Sequence, residues 1–229
     1  MKTNLLFLCF ALTACQGLVG SGRVVTEDRE VTAFKRLAVH SGINVVTSNG
    51  PRGLTVRADD NVQSLVRTFV QGDTLVVRLV DNTVLMVGQV NATVSNDVFE
   101  GLDASGGSNV TIDATPVTRF DLTASGGSDV ILRGLSSDDF TVDASGGSDV
   151  TIEGAANRGD VIASGGSTLR LHEVSLEALD LDVSGGSTLN ARVSSMITGS
   201  ASGGSTVTIV GTPTNRVDRS GGSEVSVGR

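Results

Sequence analysis

The sequence has no Trp and no Tyr, and its aromatic content is seven Phe. That removes the usual stacking surfaces for sugars, bases and quaternary amines. Pro is scarce at three residues, against 29 Gly, which suits tightly turned strands better than stalks or long helices. Positive charge is also short: 17 Lys and Arg against 25 Asp and Glu give a net charge of -8. A nucleic-acid backbone would be repelled, so nucleic acid is not an expected partner. Only Cys9 and Cys15 are present, both close to the N-terminus. No long apolar run exists either. The stretch Leu5 to Leu12 is too short to span a bilayer as a helix.

Lys2 before that apolar run gives the layout of a secretory signal. Leu12-Thr13-Ala14-Cys15 follows, and it resembles the lipobox of bacterial lipoproteins. The resemblance implies cleavage after residue 14 and an acylated Cys15 as the mature N-terminus, with several acyl chains giving lasting anchorage. Removing Lys2 takes the net charge from -8 to -9. Cys9 leaves with the signal, so the mature chain has no partner for a disulfide and no Cys-based metal site. Gln16 after the Cys resembles lipoproteins sorted to an outer membrane. Residues 15–30, small and polar around Gly20-Ser21-Gly22, are expected to be a tether.

Repeats dominate the rest. Ser-Gly-Gly-Ser begins at Ser105, Ser125, Ser145, Ser164, Ser184, Ser202 and Ser220, with spacings of 20, 20, 19, 20, 18 and 18. The first copy is Ser105-Gly106-Gly107-Ser108. The later glycine pairs are Gly126-Gly127, Gly146-Gly147, Gly165-Gly166, Gly185-Gly186, Gly203-Gly204 and Gly221-Gly222. Alone, the tetrapeptide would read as a flexible linker, but its flanks alternate. Ala104, Ala124, Ala144, Ala163, Val183 and Ala201 precede successive motifs, and Val110, Val130, Val150, Leu169, Leu189, Val207 and Val225 follow them. Such period-two patterning on both sides of a Gly turn means two strands per repeat with one face buried.

An antiparallel meander gives no reason for the same four residues in every unit. A parallel solenoid does, because each residue stacks on its equivalent about 4.8 Å away along the axis. The expectation is therefore an all-β, right-handed parallel β-helix with coils of about 20 residues over 99–229, continuous with a less regular β region over 31–98. In that region strands are expected at Val31 to Val39, Ile43 to Thr47, Gly53 to Ala58, Thr74 to Val80 and Val84 to Val94, and Asn61 to Phe69 shows helical spacing suited to a cap. At the last repeat the inward column changes from Ala or Val to Arg219, a charge that would discourage end-to-end self-association.

Phe34-Lys35-Arg36-Leu37-Ala38-Val39-His40-Ser41-Gly42-Ile43-Asn44-Val45, then Asp73-Thr74-Leu75 and the Ser-Gly-Gly units, resemble the GIN domain over Val31 to Arg229. This is a family described as the head of auto-transporter adhesins. The resemblance implies a bacterial, exported, β-helical domain that brings no catalytic residues.

Candidate chemistry is thin. His40 and His172 lie in no ligand-spaced motif, and seven copies of one Ser motif argue for packing rather than one activated hydroxyl. The glycines lead into strands without the Lys and helix of a phosphate loop. Asp129 and Asp149 should stack, as should Asp160 and Asp180, each pair about 5 Å apart at the backbone. That spacing overlaps the carboxyl separation in retaining glycosidases, and a cation could bridge Asp129 and Asp149; yet stacking produces such pairs without any selection for catalysis. No cofactor, metal or catalytic residue is expected. The functional expectation is a lipid-anchored envelope module, adhesive or structural, that binds an unidentified envelope component, glycan or protein. The alternative is a polysaccharide-active hydrolase or lyase.

Overall fold

Pairing register separates a solenoid from a meander, and in the computed structural model, which describes residues 16–228, it is that of a solenoid. The regular part comprises β10 (Gly101–Ala104), β11 (Asn109–Asp113), β12 (Val117–Ala124), β13 (Asp129–Ala144), β14 (Asp149–Ala163), β15 (Thr168–Val183), β16 (Thr188–Ala201), β17 (Thr206–Val210), β18 (Thr214–Arg219) and β19 (Glu224–Gly228). Its pairings are parallel, and they stack Ala104, Ala124, Ala144, Ala163, Val183, Ala201 and Arg219 in one column. Val110, Val130, Val150, Leu169, Leu189, Val207 and Val225 form a second. Both columns point inward, and their members up to Ala201 and Val207 are buried. Phe120 and Phe140 stack between them, the Phe140 ring filling the space that a side chain at Gly159 would need.

The less regular part contains β1 (Gln16–Val19), β2 (Val24–Asp28), β3 (Arg36–Val39), β4 (Asn44–Asn49), β5 (Gly53–Asp59), the one-turn helix α1 (Asp60–Gln63), β6 (Val66–Gln71), β7 (Thr74–Leu79), β8 (Thr83–Val87) and β9 (Asn91–Asn96). Here the chain does not climb coil by coil. Strands β3 and β4 form a coil in register with β10 and β11, pairing Arg36 with Gly101 and Asn44 with Asn109. Strands β7 and β9 then stack on the opposite side of β3 and β4, so that the earlier coil lies inside and the later one outside.

Antiparallel strands close this end. β6 pairs with β7, and β5 with β9 and β2, which turns the open edge of the parallel stack into ordinary antiparallel sheet.

Several expectations change. Residues 16–28 are not a bare tether: β1 pairs with β8, and β2 extends the antiparallel cap. The cap is mainly sheet, since helix stops at Gln63 and Val66 to Gln71 continue as a strand. The residues Val66-Arg67-Thr68-Phe69-Val70 also alternate with period two, and pairing with β7 satisfies their backbone. Val31 to Phe34 precede strand β3 without joining it, and Val84 to Val94 divides into β8 and β9 around Gly88. At the far end Arg219 is exposed, and Val217 and Val225 are only partly buried, since among the described residues no further coil covers them. Cys15 and the signal lie outside the described residues.

Candidate functional site

The Ser-Gly-Gly-Ser corners are built for stacking. All fourteen glycines have φ between 61 and 82°, the left-handed region that side chains disfavour. A Cβ on the first glycine of each pair would stand 2.9–3.2 Å from a backbone nitrogen of the preceding corner, whereas a Cβ on the second would meet nothing within 4 Å. The last serine of the motif is buried in the first six corners, and Ser108, Ser128, Ser148 and Ser167 each donate from Oγ to the carbonyl of the first serine, at 2.7–2.8 Å. Ser205 and Ser223 instead donate to the preceding coil, to the carbonyls of Val183 and Ala201 at 3.0 and 2.7 Å, so these last serines are engaged in holding the corners.

Asp129 and Asp149 are register partners, as are Asp160 and Asp180. Asp149 also accepts from Arg170 at 3.3 Å. Among the described residues no group of three or more His, Cys, Asp or Glu side chains converges as metal ligands would. His172 is exposed beside Glu173, at 3.5 Å, and His40 is half-buried against Ser105.

A concavity that the sequence reading did not find lies on the third side of the coils, between the two corner strands. It has a volume of about 1410 Å³ and crosses successive coils at 116–119, 136–138, 155–157, 175–177, 192–194 and 210–212. Six crossings are five ladder steps, so at about 4.8 Å per step the groove is about 24 Å long. Its floor is the column Val117, Ser137, Ala156, Leu176 and Val193. The Ser137 Oγ is buried in that floor with no hydrogen-bond partner among the described residues. Outside it stand Ser136, Ala155 and Ser175, again in register. Charged groups occupy the rims: Glu100, Asp138 and Glu177 with Arg119 and Arg192. Several are already engaged, Glu100 with Lys35 at 2.7 Å and Asp138 with the Asn157 amide at 3.2 Å. A straight, shallow, mixed polar and apolar trough of this kind can hold an extended chain.

The model of the family described as "Putative auto-transporter adhesin, head GIN domain" matches residues 33–213. The chain belongs to the GIN domain family. Among solved structures, a "putative adhesin" from Bacteroides fragilis superposes with a TM-score of 0.81 at 18% identity, covering 92% of this chain and 99% of that one. A "putative lipid binding protein" from Parabacteroides distasonis gives 0.74 at 12% identity, with 93% and 99% covered. A "putative adhesin" from Parabacteroides merdae gives 0.70 at 13%, with 92% and 98% covered. At such identities the likeness is one of fold. No curated protein matches the chain. Among the described residues no helix is long and apolar enough to cross a membrane.

In this GIN domain the tripeptide Gly42-Ile43-Asn44 is itself a corner. Ser41 and Gly42, with φ of 70 and 71°, stand where Gly106 and Gly107 stand one coil on. Ser41 escapes the steric limit on the first glycine because the coil beyond it, between β7 and β9, has an excursion in place of a corner. Ile43 is buried at the position of Ser108. Asn44 joins an amide ladder, accepting from Asn109 at 2.8 Å and donating to Asn91 at 3.2 Å. Asp129 and Asp149 continue that outer column, which gives their stacking a structural explanation.

A second link ties the GIN coil to the repeats. Arg36 reaches across Gly101, where a Cβ would clash with its guanidinium, and donates to Asp121 at 3.0 Å. Burial pushes the Asp121 carboxyl up, but hydrogen bonds from Arg119, Thr141 and Arg36 outweigh it and hold the group below its usual range.

Proposed function

We propose that the protein is a non-catalytic binding module of the bacterial cell envelope, held to the membrane through an acylated Cys15, that takes an extended envelope glycan or protein chain along its third-side groove. The observation that carries this reading is the groove itself. It crosses successive coils at the ladder spacing, so an extended chain lying along the axis meets each coil in turn. The adhesin description of the family agrees with binding rather than turnover. The lipobox-like Leu12-Thr13-Ala14-Cys15 supports the anchor and an outer-membrane address.

Two of the three rim carboxylates are already engaged, Glu100 with Lys35 and Asp138 with the Asn157 amide, which supports binding over hydrolysis. The test is a binding screen of the protein against envelope glycans and proteins, with release of reducing sugars followed in parallel. Saturable binding without sugar release is expected. New reducing ends that appear in proportion to protein would replace this reading with a hydrolase.

A further inference from the structure

Strands β1 and β8 form a two-stranded sheet apart from the seventeen-stranded sheet of the solenoid. Pairing places Gly17 beside Val84, Leu18 beside Leu85 and Val19 beside Val87. The strands read Gln-Gly-Leu-Val and Thr-Val-Leu-Met-Val, without a charge. Leu18 and Leu85 turn toward the core and pack on it. The opposite face is bare: Val19 is 58% exposed, Val84 50%, Met86 71% and Val87 60%. Single exposed apolar residues are ordinary in soluble proteins, but four on one small uncharged sheet make a patch that needs a partner.

The wing does not hang loose. Gly20 donates to the Val87 carbonyl at 2.8 Å, and the Asn61 amide donates to the Val19 carbonyl at 2.9 Å, which ties β1 to the capping helix. Its position in the chain identifies the partner. β1 begins at Gln16, directly after Cys15, and at about 3.4 Å per residue Val19 lies no more than about 14 Å from the residue that carries the lipid. The headgroup layer on one side of a bilayer is about 5–8 Å thick, so that short reach holds the apolar face at the membrane surface, beside the lipid.

The geometry points to the β1–β8 wing as a membrane-seating surface: Val19, Val84, Met86 and Val87 lie in the lipid interface beside the acyl chains and fix how the solenoid stands on the bilayer. The inference rests on acylation of Cys15. Two points of attachment, one covalent and one apolar, orient the groove where a single flexible tether would let it tumble.

The experiment uses the full acylated chain in phosphatidylcholine vesicles that contain nitroxide-labelled lipid. Because Cys15 is capped and Cys9 is removed, one introduced thiol can be labelled alone with a fluorophore: Met86→Cys on the wing, or Ser226→Cys on the last coil. Both proteins should float with the vesicles, and lipid quenching at position 86 should be several-fold greater than at 226. Adding Val84→Asp to Met86→Cys should reduce that quenching while flotation persists. Flotation with equal quenching at both positions overturns the seating surface and leaves the anchor intact. Failure to float overturns the anchor reading and this inference with it. Cross-linking between position-86 thiols of two molecules, without lipid quenching, shows a second copy covering the wing and also overturns it.

Discussion

Replacing Gly146 and Gly147 one at a time separates the two demands that a corner makes. Both residues sit at left-handed φ, 64 and 78°, where any L side chain costs about 1–2 kcal/mol. Only Gly146 also lies against its neighbour, its Cβ position being 3.1 Å from the Gly126 nitrogen and 3.4 Å from the Gly126 Cα. These are backbone atoms held in the ladder, so relief requires moving a coil, and overpacking of that kind costs about 1–3 kcal/mol more. Gly146→Val should therefore lose about 3 kcal/mol, which at about 2–4 °C per kcal/mol for a chain of this size lowers Tm by about 6–12 °C. Gly147→Asn should lose about 1 kcal/mol or less, because Asn tolerates this conformation and the site is open. Paired thermal and urea unfolding measures both. Equal losses at the two positions, or a Gly146→Val melting temperature within about a degree of the parent, would refute the stacked corner.

Three further outcomes follow from particular residues. Asp121, held below its usual pKa by Arg119, Thr141 and Arg36, lends stability that is complete above the unfolded carboxyl value of about 4 and is lost as pH falls through the lower folded value. Asp121→Asn should thus cost about 1 kcal/mol at neutral pH, with the gap closing below about pH 4 in a pH series of urea melts; a constant gap would contradict the link. Cys15→Ser should move the protein from the membrane fraction to a soluble or unprocessed form, read by fractionation and intact mass, and persistence in membranes without an acyl mass would exclude the anchor. Arg219→Ala removes the exposed charge from the uncovered last coil and should leave folding unchanged while raising self-association at high concentration; an unaltered monomer fraction in sedimentation would remove that role.

Much of the solenoid is legible in the sequence because stacking copies residues into columns. The spacing of Ser-Gly-Gly-Ser and the apolar column from Ala104 to Ala201 specify a parallel register that the pairing reproduces residue for residue. The GIN coil is harder to see as a member of the series, since its corner reads His40-Ser41-Gly42-Ile43 and keeps only the second glycine of the motif. Its flanks nevertheless match: Leu37, Val39, Asn44 and Val45 fall on Leu102, Ala104, Asn109 and Val110. The groove is hidden for a different reason. Its floor lies on the side where coils differ in length, and the register slips there, after Leu132 against β14 and after Leu171 against β16. A fixed-period reading loses the column from Val117 to Val193 at those slips. The β1–β8 pair is a contact between distant short segments without a repeat, and neither strand alternates for long enough to declare its partner.

The central claim is that the third-side groove holds the ligand. Ala155 is exposed between Ser136 and Ser175, midway along the groove, so a large side chain there fills the trough without entering the core. The most direct test is the affinity of Ala155→Trp for whichever envelope glycan or protein binds the parent chain, measured beside the Tm of both. Affinity should fall by at least about tenfold, about 1.4 kcal/mol, with Tm unchanged. Undiminished binding by a fully folded Ala155→Trp protein would contradict it.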